Sequence, residues 1–352
     1  MERENRRKNE KENERNGSMK TSDILKKCAE IPGVALKKNS RNMELTLEQP
    51  DGRGVITFYS LFPGILLAFI HVSSPVWPAP DLQSFNPIDT SPLLINYCVA
   101  GRCELLLNNG SFVYLKDGEM AITEQYAQKD YVYPRKFYEG VEIFLDLQTV
   151  REQSPYLKEA FQIDTGKLPE KYCPNGKTYL ASCEAEMAER LQNIWKLNDR
   201  QDPASYVFMK TETLALIGIM LNKSYIPASK SCQFLTATQV DIAKRVERII
   251  TSDLRQHHPA REMAEQFSVS ETSLKNYFRG VYGQNISSYL KEIRMNRAAY
   301  LLAEENLSVS EIAENVGYLN QSKFAAVFKK HFHMSPLEYR RSKKLEKIQS
   351  VI

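Results

Sequence analysis

Apolar residues fall in short runs through the first half of the chain and at three- to four-residue intervals through the second. Residues 55–61, 65–71, 94–99, 104–107, 112–115 and 141–145 are runs of strand length, several of them alternating apolar with polar. Alternation of that kind predicts half-buried β-strands. Asn108-Asn109-Gly110 and Lys116-Asp117-Gly118 have the composition of hairpin turns. Short antiparallel strands at this spacing, from about residue 54 to 148, predict a small barrel or sandwich. Beyond them Leu180, Met187, Leu191, Ile194 and Leu197 fall on one helical stripe. Asp202-Pro203 reads as the N-cap and first residue of a second helix, with Leu214, Ile217 and Leu221 on one face. Residues 222–234 are polar, contain Pro227, and read as a linker. Thr238, with Asp241 three residues on, predicts a capping box opening the next helix.

The second half then repeats itself. Ala264-Glu265-Gln266-Phe267-Ser268-Val269 is followed, after a break, by Leu274 and Phe278. Ala313-Glu314-Asn315-Val316-Gly317-Tyr318 is followed, after a break one residue longer, by Phe324 and Phe328. Each copy predicts a short helix, a tight turn and a second helix with apolar residues four apart. The alanine permits close helix crossing, and Gly317 can take the positive φ such a turn demands. A repeat of this length usually signals a solenoid. Here two copies joined by a long helical pattern predict two helix-turn-helix units on one connecting helix.

Residues 240–341 resemble the DNA-binding domain of the AraC/XylS family of bacterial transcription regulators. The resemblance rests on Arg294-Met295-Asn296-Arg297-Ala298 with Leu301-Leu302, Val309-Ser310-Glu311-Ile312-Ala313 and Val316-Gly317-Tyr318, and continues through Ser322-Lys323-Phe324, Phe328-Lys329-Lys330, Phe332 and Ser335-Pro336-Leu337-Glu338-Tyr339-Arg340. It covers a little under a third of the chain. The phrase Ile95-Asn96-Tyr97-Cys98 with Gly101-Arg102-Cys103-Glu104 also resembles sensor domains of the pyochelin-regulator kind. The family implies an α+β multidomain chain. Its parts would be a tail (1–20), a cupin-like effector-binding β-barrel (21–175), a helical dimerisation hairpin (176–222), a linker (223–237) and an all-α DNA-binding domain (238–345) of two helix-turn-helix units joined by a long helix.

A recognition helix turns its apolar side inward and offers polar side chains to base edges. Ser270 is an expected N-cap for the first, which leaves Glu271, Thr272, Lys275, Asn276 and Arg279 outward. By position, the family's base contacts fall on Thr272, Lys275 and Asn276; Lys275 suits guanine and Asn276 suits adenine. In the second unit Asn320 is the expected N-cap, and Gln321, Ser322, Lys323, Ala325 and Ala326 face out. Gln321, Ser322, Ala325 and Ala326 are its candidate base contacts. The alanines depart from the family's usual long polar residue, so the first helix is expected to specify and the second mainly to anchor. Candidate phosphate contacts are Arg279, Arg294, Arg297, Lys323, Lys329, Lys330 and Arg340. For Arg294 and Arg297 the competing expectation is an intradomain salt bridge to Glu262 or Glu265. The connecting helix should space the recognition helices by about one DNA turn, ~34 Å.

Charge supports this division. The chain as a whole carries +4, but residues 241–352 hold 18 Lys/Arg against 13 Asp/Glu, an excess of five, clustered at Lys329-Lys330 and at Arg340-Arg341-Lys343-Lys344. After two recognition-helix patterns, phosphate contact is the better reading of those clusters. Residues 1–20 are almost wholly polar, lack a signal peptide's apolar core and read as a disordered tail, with Met19 an alternative start. The longest apolar runs fall short of the roughly 20 residues that span a bilayer. The six cysteines lack metal-ligand spacing, so reduced thiols in a cytoplasmic protein are expected. Cys98 and Cys103 read as core residues, with a redox pair as the alternative.

A cupin-like barrel raises an enzyme alternative, because cupin oxygenases pair histidines with a carboxylate. His71 is the only histidine before residue 257, which argues against a metal site, a cofactor and any Ser-His-Asp or Cys-His arrangement. An effector-binding barrel lined by Phe58, Phe69, Trp77, Tyr97, Arg102, Tyr114 and Tyr138 remains, with Arg102 as a clamp for a carboxylate or phenolate. The same aromatics read equally as core, and Arg102 as a surface residue near a turn. The family implies a dimer interface on the stripe of Leu180, Met187, Leu191 and Ile194; the competing reading is a hairpin packed on its own barrel. Expected partners are double-stranded promoter DNA, a small-molecule effector, RNA polymerase and a second copy of the chain, with no membrane. The expected activity is ligand-responsive regulation, most naturally activation of a neighbouring operon. Alternatives are a constitutive repressor or architectural dimer, and a barrel enzyme tethered to DNA.

Overall fold

In a computed structural model of the chain, the described residues are 27–79, 92–107, 109–124, 130–200, 202–224 and 234–349. The expected tail and most of the linker lie outside them. The chain divides into two compact units, Met1–Phe234 and Leu235–Ile352.

The first unit is built on antiparallel strands: β1 (Val34–Lys38), β2 (Met43–Gln49), β3 (Gly52–Phe62), β4 (Ile65–Ser73), β5 (Val76–Trp77), β6 (Leu93–Leu106), β7 (Phe112–Lys116), β8 (Glu119–Thr123), β9 (Tyr131–Val132), β10 (Tyr138–Leu145) and β11 (Tyr179–Ser182). The main sheet runs β1-β2-β3-β4-β10-β6-β8-β11, with β7 paired to β6, while β5 and β9 form a separate ribbon. Among the described residues the α-helices of this unit are α1 (Leu147–Gln153), α2 (Tyr156–Phe161), α3 (Leu168–Tyr172), α4 (Ala185–Lys196) and α5 (Pro203–Asn222).

Three expectations need correcting. The pairing order has free ends at β1 and β11, so the barrel is not closed by strand pairing among the described residues. One face of the sheet, called the curl below, carries a single apolar cluster that reaches from Val34 of β1 to Leu180 of β11. Residues 94–99 and 104–106 belong to a single strand, β6, whose Ala100-Gly101 step is bridged by pairing to β10, and Leu107 lies just beyond it. A register shift between Glu139 and Gly140 leaves Val99 as the extra residue of β6, and Gly101, opposite Tyr138, takes φ 95°. Leu180 is on strand β11, paired with Ala121, and not on the helical stripe.

Strand alternation gives the sheet two cores. One face buries Leu67, Phe69, Ile95, Tyr97, Val141 and Ile143 against Met187, Leu191 and Ile194 of α4 and Met209, Leu216, Ile217 and Met220 of α5. The other gathers Phe58, Ile70, Trp77, Cys98, Cys103, Tyr138 and Phe144 inside the curl. Asp202 caps α5 as expected, its side chain accepting from the Ala204 and Ser205 amides. Helix α5 is also the one described helix that is long and apolar enough, by length and composition, to cross a membrane. One side enters the core, while Val207 and Phe208 are exposed beside Lys210, Thr211 and Glu212.

The second unit is all-helical: α6 (Ala237–Ser252), α7 (Ala260–Gln266), α8 (Glu271–Tyr282), α9 (Ile286–Glu304), α10 (Val309–Asn315), α11 (Gln321–Phe332) and α12 (Pro336–Gln349). The capping box opening α6 is Thr236 with Gln239, two residues earlier than the pair expected, because that pair meets both amide donors. Helix α9 joins the two halves through buried Met295, Ala298, Leu301 and Leu302, which pack on Ile312, Ala313, Val316, Phe324 and Phe328.

Candidate nucleic-acid interface

The two repeats fold alike bond for bond. In the first, the Phe267, Ser268 and Val269 amides donate to the Met263, Glu265 and Ala264 carbonyls at 3.2, 3.1 and 3.0 Å. In the second, Val316, Gly317 and Tyr318 donate to Ile312, Glu314 and Ala313 at 3.1, 3.0 and 2.8 Å. Ser268 and Gly317 are therefore equivalent, and both take positive φ, 54° and 81°. Ser270 and Asn320 cap α8 and α11 with their side chains. The second turn is longer by Leu319, which has no counterpart in the first.

Leu274, Phe278 and Val281 bury the inner side of α8. Thr272, Lys275 and Arg279 are exposed and Asn276 half-buried on its outer side. The Lys275 ammonium pairs with Glu271 at 2.5 Å, and Arg279 donates to the Asn276 side-chain oxygen at 3.2 Å. Exposed pairs of this kind contribute little, so exchanging them for base or phosphate contacts costs little. On α11, Phe324 and Phe328 point inward, while Gln321, Ser322, Lys323, Ala326, Lys329 and Lys330 are exposed and Ala325 half-buried. The outer surfaces of the two recognition helices thus differ: α8 offers hydrogen-bonding groups, α11 alanines flanked by lysines.

Two arginines expected at phosphates serve the fold. Arg294 lies over the Tyr318 ring and donates through Nε and Nη2 to the Leu254 carbonyl at 2.9 and 2.6 Å. Neither expected carboxylate holds it; a loop carbonyl does. Gly317 permits this approach, because a Cβ there would overlap the Leu254 carbonyl oxygen and crowd the Arg294 guanidinium. Arg340 donates to the Leu307 carbonyl at 2.5 Å, and its Nε is buried without a partner. Arg297 is exposed, above the Tyr300 ring.

The effector residues expected in one pocket are dispersed. Phe58, Trp77 and Tyr138 lie within the curl; Phe69 and Tyr97 lie on the opposite face, against the helices. Arg102 alternates away from Cys103, which is in the curl, and sits over Tyr114 at 5.4 Å, near buried Glu119. The reason is parity: neighbours in a strand take opposite faces. What sequence reasoning missed inside the curl is a polar chain. Tyr138 donates to the Asn96 side-chain oxygen at 2.6 Å, and the Asn96 amide donates to Glu142 at 2.9 Å. Burial pushes the Glu142 carboxyl up to about 8, so it is largely protonated at neutral pH. A carboxylate set between Val141 and Ile143 in an apolar run of strand length was the available signal.

Cys98 and Cys103 are buried free thiols, both pushed up by burial. Met187, Leu191 and Ile194, expected at a dimer interface, are at most 1% exposed within the unit's own core. A partner cannot use them. A surface cleft of about 790 Å³ opens beside Glu184, Glu186, Ile219, Asn222 and Lys223, away from every expected effector residue.

Tandem helix-turn-helix units on a shared helix, with basic outer faces, define a DNA-binding class of domain. Residues 263–342 match the family model described as a helix-turn-helix domain. The chain is 32% identical over 103 residues to the transcriptional activator RhaR of Enterobacter sp. strain 638, covering 28% of this chain and 36% of that protein. It is 25% identical over 185 residues to the transcriptional activator AggR of Escherichia coli, covering 52% of this chain and 66% of that one. The C-terminal domain of AraT, a response regulator from Geobacillus stearothermophilus, is 35% identical over 29% of this chain and 84% of its own, with a TM-score of 0.28. The chain spans about a third of the length of the first curated relatives it matches. Its C-terminal domain is an AraC-type helix-turn-helix domain.

Proposed function

We propose that the chain is a sequence-specific DNA-binding transcription regulator whose tandem helix-turn-helix units enter successive major grooves. The observation that carries this reading is the pair of superimposable turns, each presenting a capped helix with a solvent-facing side carrying lysine. Thr272, Lys275 and Asn276 read bases; Arg279, Arg297, Lys323, Lys329 and Lys330 hold phosphates. Two relatives are named activators, which favours activation, with RNA polymerase as the further partner and the cytoplasm as the place of action. Dimerisation is assigned to the exposed side of α5 around Val207 and Phe208, since α4's stripe is occupied. A small-molecule effector is assigned to the curl of the first unit, where Tyr138, Asn96 and Glu142 supply polar groups among aromatics.

The test is fluorescence anisotropy of the full chain on duplexes from the promoters flanking its gene. Specific binding is expected to weaken steeply with salt, with a log–log slope of several units. Binding to no fragment, or equal binding to all, would remove the proposal. The dispersal of Phe69 and Tyr97 away from Tyr138 favours a second reading, a constitutive DNA-binding dimer. Compounds linked to the neighbouring genes decide between the two. An effector must shift DNA affinity and be bound reciprocally; a constitutive dimer responds to none.

A further inference from the structure

Helix α11 carries an outer surface that hydrogen-bond readout does not explain. Ser322, Ala326 and Lys329 follow one another turn by turn opposite the buried Phe324 and Phe328. Alanine has no donor or acceptor, so the middle of this stripe cannot read the polar pattern of a base pair. The one major-groove feature an apolar side chain recognises is the C5-methyl of thymine.

Leu319 adjoins this helix at its start. It is the residue by which the second turn exceeds the first, it directly precedes the Asn320 N-cap, and its side chain is wholly exposed, at 102%. An apolar residue at that position ordinarily packs on the fourth residue of the helix, here Phe324. Phe324 is covered instead by Tyr318, with ring centroids 5.7 Å apart, and Leu319 is turned outward. It stands at the N-terminal end of the helix, the end that meets base edges in a recognition helix. The helix has no acidic residue, and Lys323, Lys329 and Lys330 are exposed on it. Charge complementarity therefore points to the phosphate-lined groove, and not to a protein partner, as what covers this leucine.

We propose that Leu319, with Ala326 behind it, contacts thymine methyl groups and makes the second helix a reader of T-containing sites. This rests on the DNA-binding reading above and departs from the expectation that the second helix only anchors.

The experiment replaces each thymine of a bound duplex, obtained by selection from a random library with the full chain, by deoxyuridine, which lacks only the methyl. Anisotropy is then measured for the wild type, Leu319→Ala and Lys329→Ala. At one or two positions in the half-site of α11, deoxyuridine should weaken wild-type binding roughly fourfold, the transfer value of one buried methyl. Leu319→Ala should bind thymine and uracil duplexes alike there, while Lys329→Ala weakens both equally and keeps the discrimination. The exposed position of Leu319 makes its alanine variant safe for folding, which unchanged thermal melting verifies. Uniform affinity across all uracil duplexes, or full discrimination in Leu319→Ala, overturns the proposal while leaving DNA binding intact. Failure to enrich any duplex overturns DNA binding itself, and this proposal with it.

Discussion

At the scale of single residues, the repeat holds one backbone conformation with two different side chains. Gly317 takes φ 81° at no steric cost, and the Leu254 carbonyl occupies the space a Cβ would need. Gly317→Ala should therefore destabilise the second unit by about 2 kcal/mol or more, read as a lower denaturation midpoint. Ser268, at φ 54°, holds the equivalent position under mild strain. Ser268→Gly is expected to change stability by less than about 1 kcal/mol in either direction, since relief of strain opposes the added freedom of the unfolded chain. Arg294 is the sharper case, because it changes role between sequence and structure. Its guanidinium ties α9 to the Leu254 carbonyl, so Arg294→Ala should lower the melting temperature and leave the salt slope of DNA binding unchanged. Lys329→Ala should do the reverse, reducing the slope by about one. A drop in slope for Arg294→Ala would restore it as a phosphate contact.

At the scale of elements, β10 shows how a strand can be apolar on both faces and still carry chemistry. Val141 and Ile143 face the helices; Tyr138, Glu142 and Phe144 face the curl. Glu142 is raised from 4.5 to about 8 by burial. The folded state thus holds a proton that the unfolded chain releases above about pH 4.5. The stability this group contributes is fully present below about 4.5 and is lost as pH rises to about 8. Glu142→Gln keeps a hydrogen-bonding group for Asn96 and removes the titration. The variant should match wild type near pH 4.5 and exceed it by about 2–4 kcal/mol at pH 8 in urea unfolding. A constant difference across that window would mean that the carboxyl is solvated in the folded state.

At the scale of the whole molecule, α5 is the element whose surface is least used. One side enters the core, and the first half of the helix leaves Val207 57% and Phe208 48% exposed beside Lys210, Thr211 and Glu212. Phe208→Glu should convert a dimer into monomers in sedimentation without altering thermal unfolding, and should weaken binding to a two-site operator more than to a single site. Unchanged sedimentation would move the interface elsewhere. The tandem turns, the caps at Asp202, Ser270 and Asn320, and the positive φ of Gly317 were all legible in the sequence. They depend on contacts within a few residues, which a linear pattern records directly. So, too, was the strand-rich character of residues 54–148. Local pattern does not record which face a strand residue takes past an irregularity. The register shift opposite Val99 of β6 therefore turns Arg102 away from the cluster that holds Cys98 and Cys103, while the pairing of Phe69 with Thr57 sets it on the face away from Phe58. Nor does it record where a long side chain spends its donors. Arg294 and Arg340 found backbone carbonyls 40 and 33 residues away, partners that only folding brings within reach. The α4 stripe followed the same rule, since periodicity identifies a helix's apolar side, and only tertiary packing decides whether the chain itself or a second copy covers it.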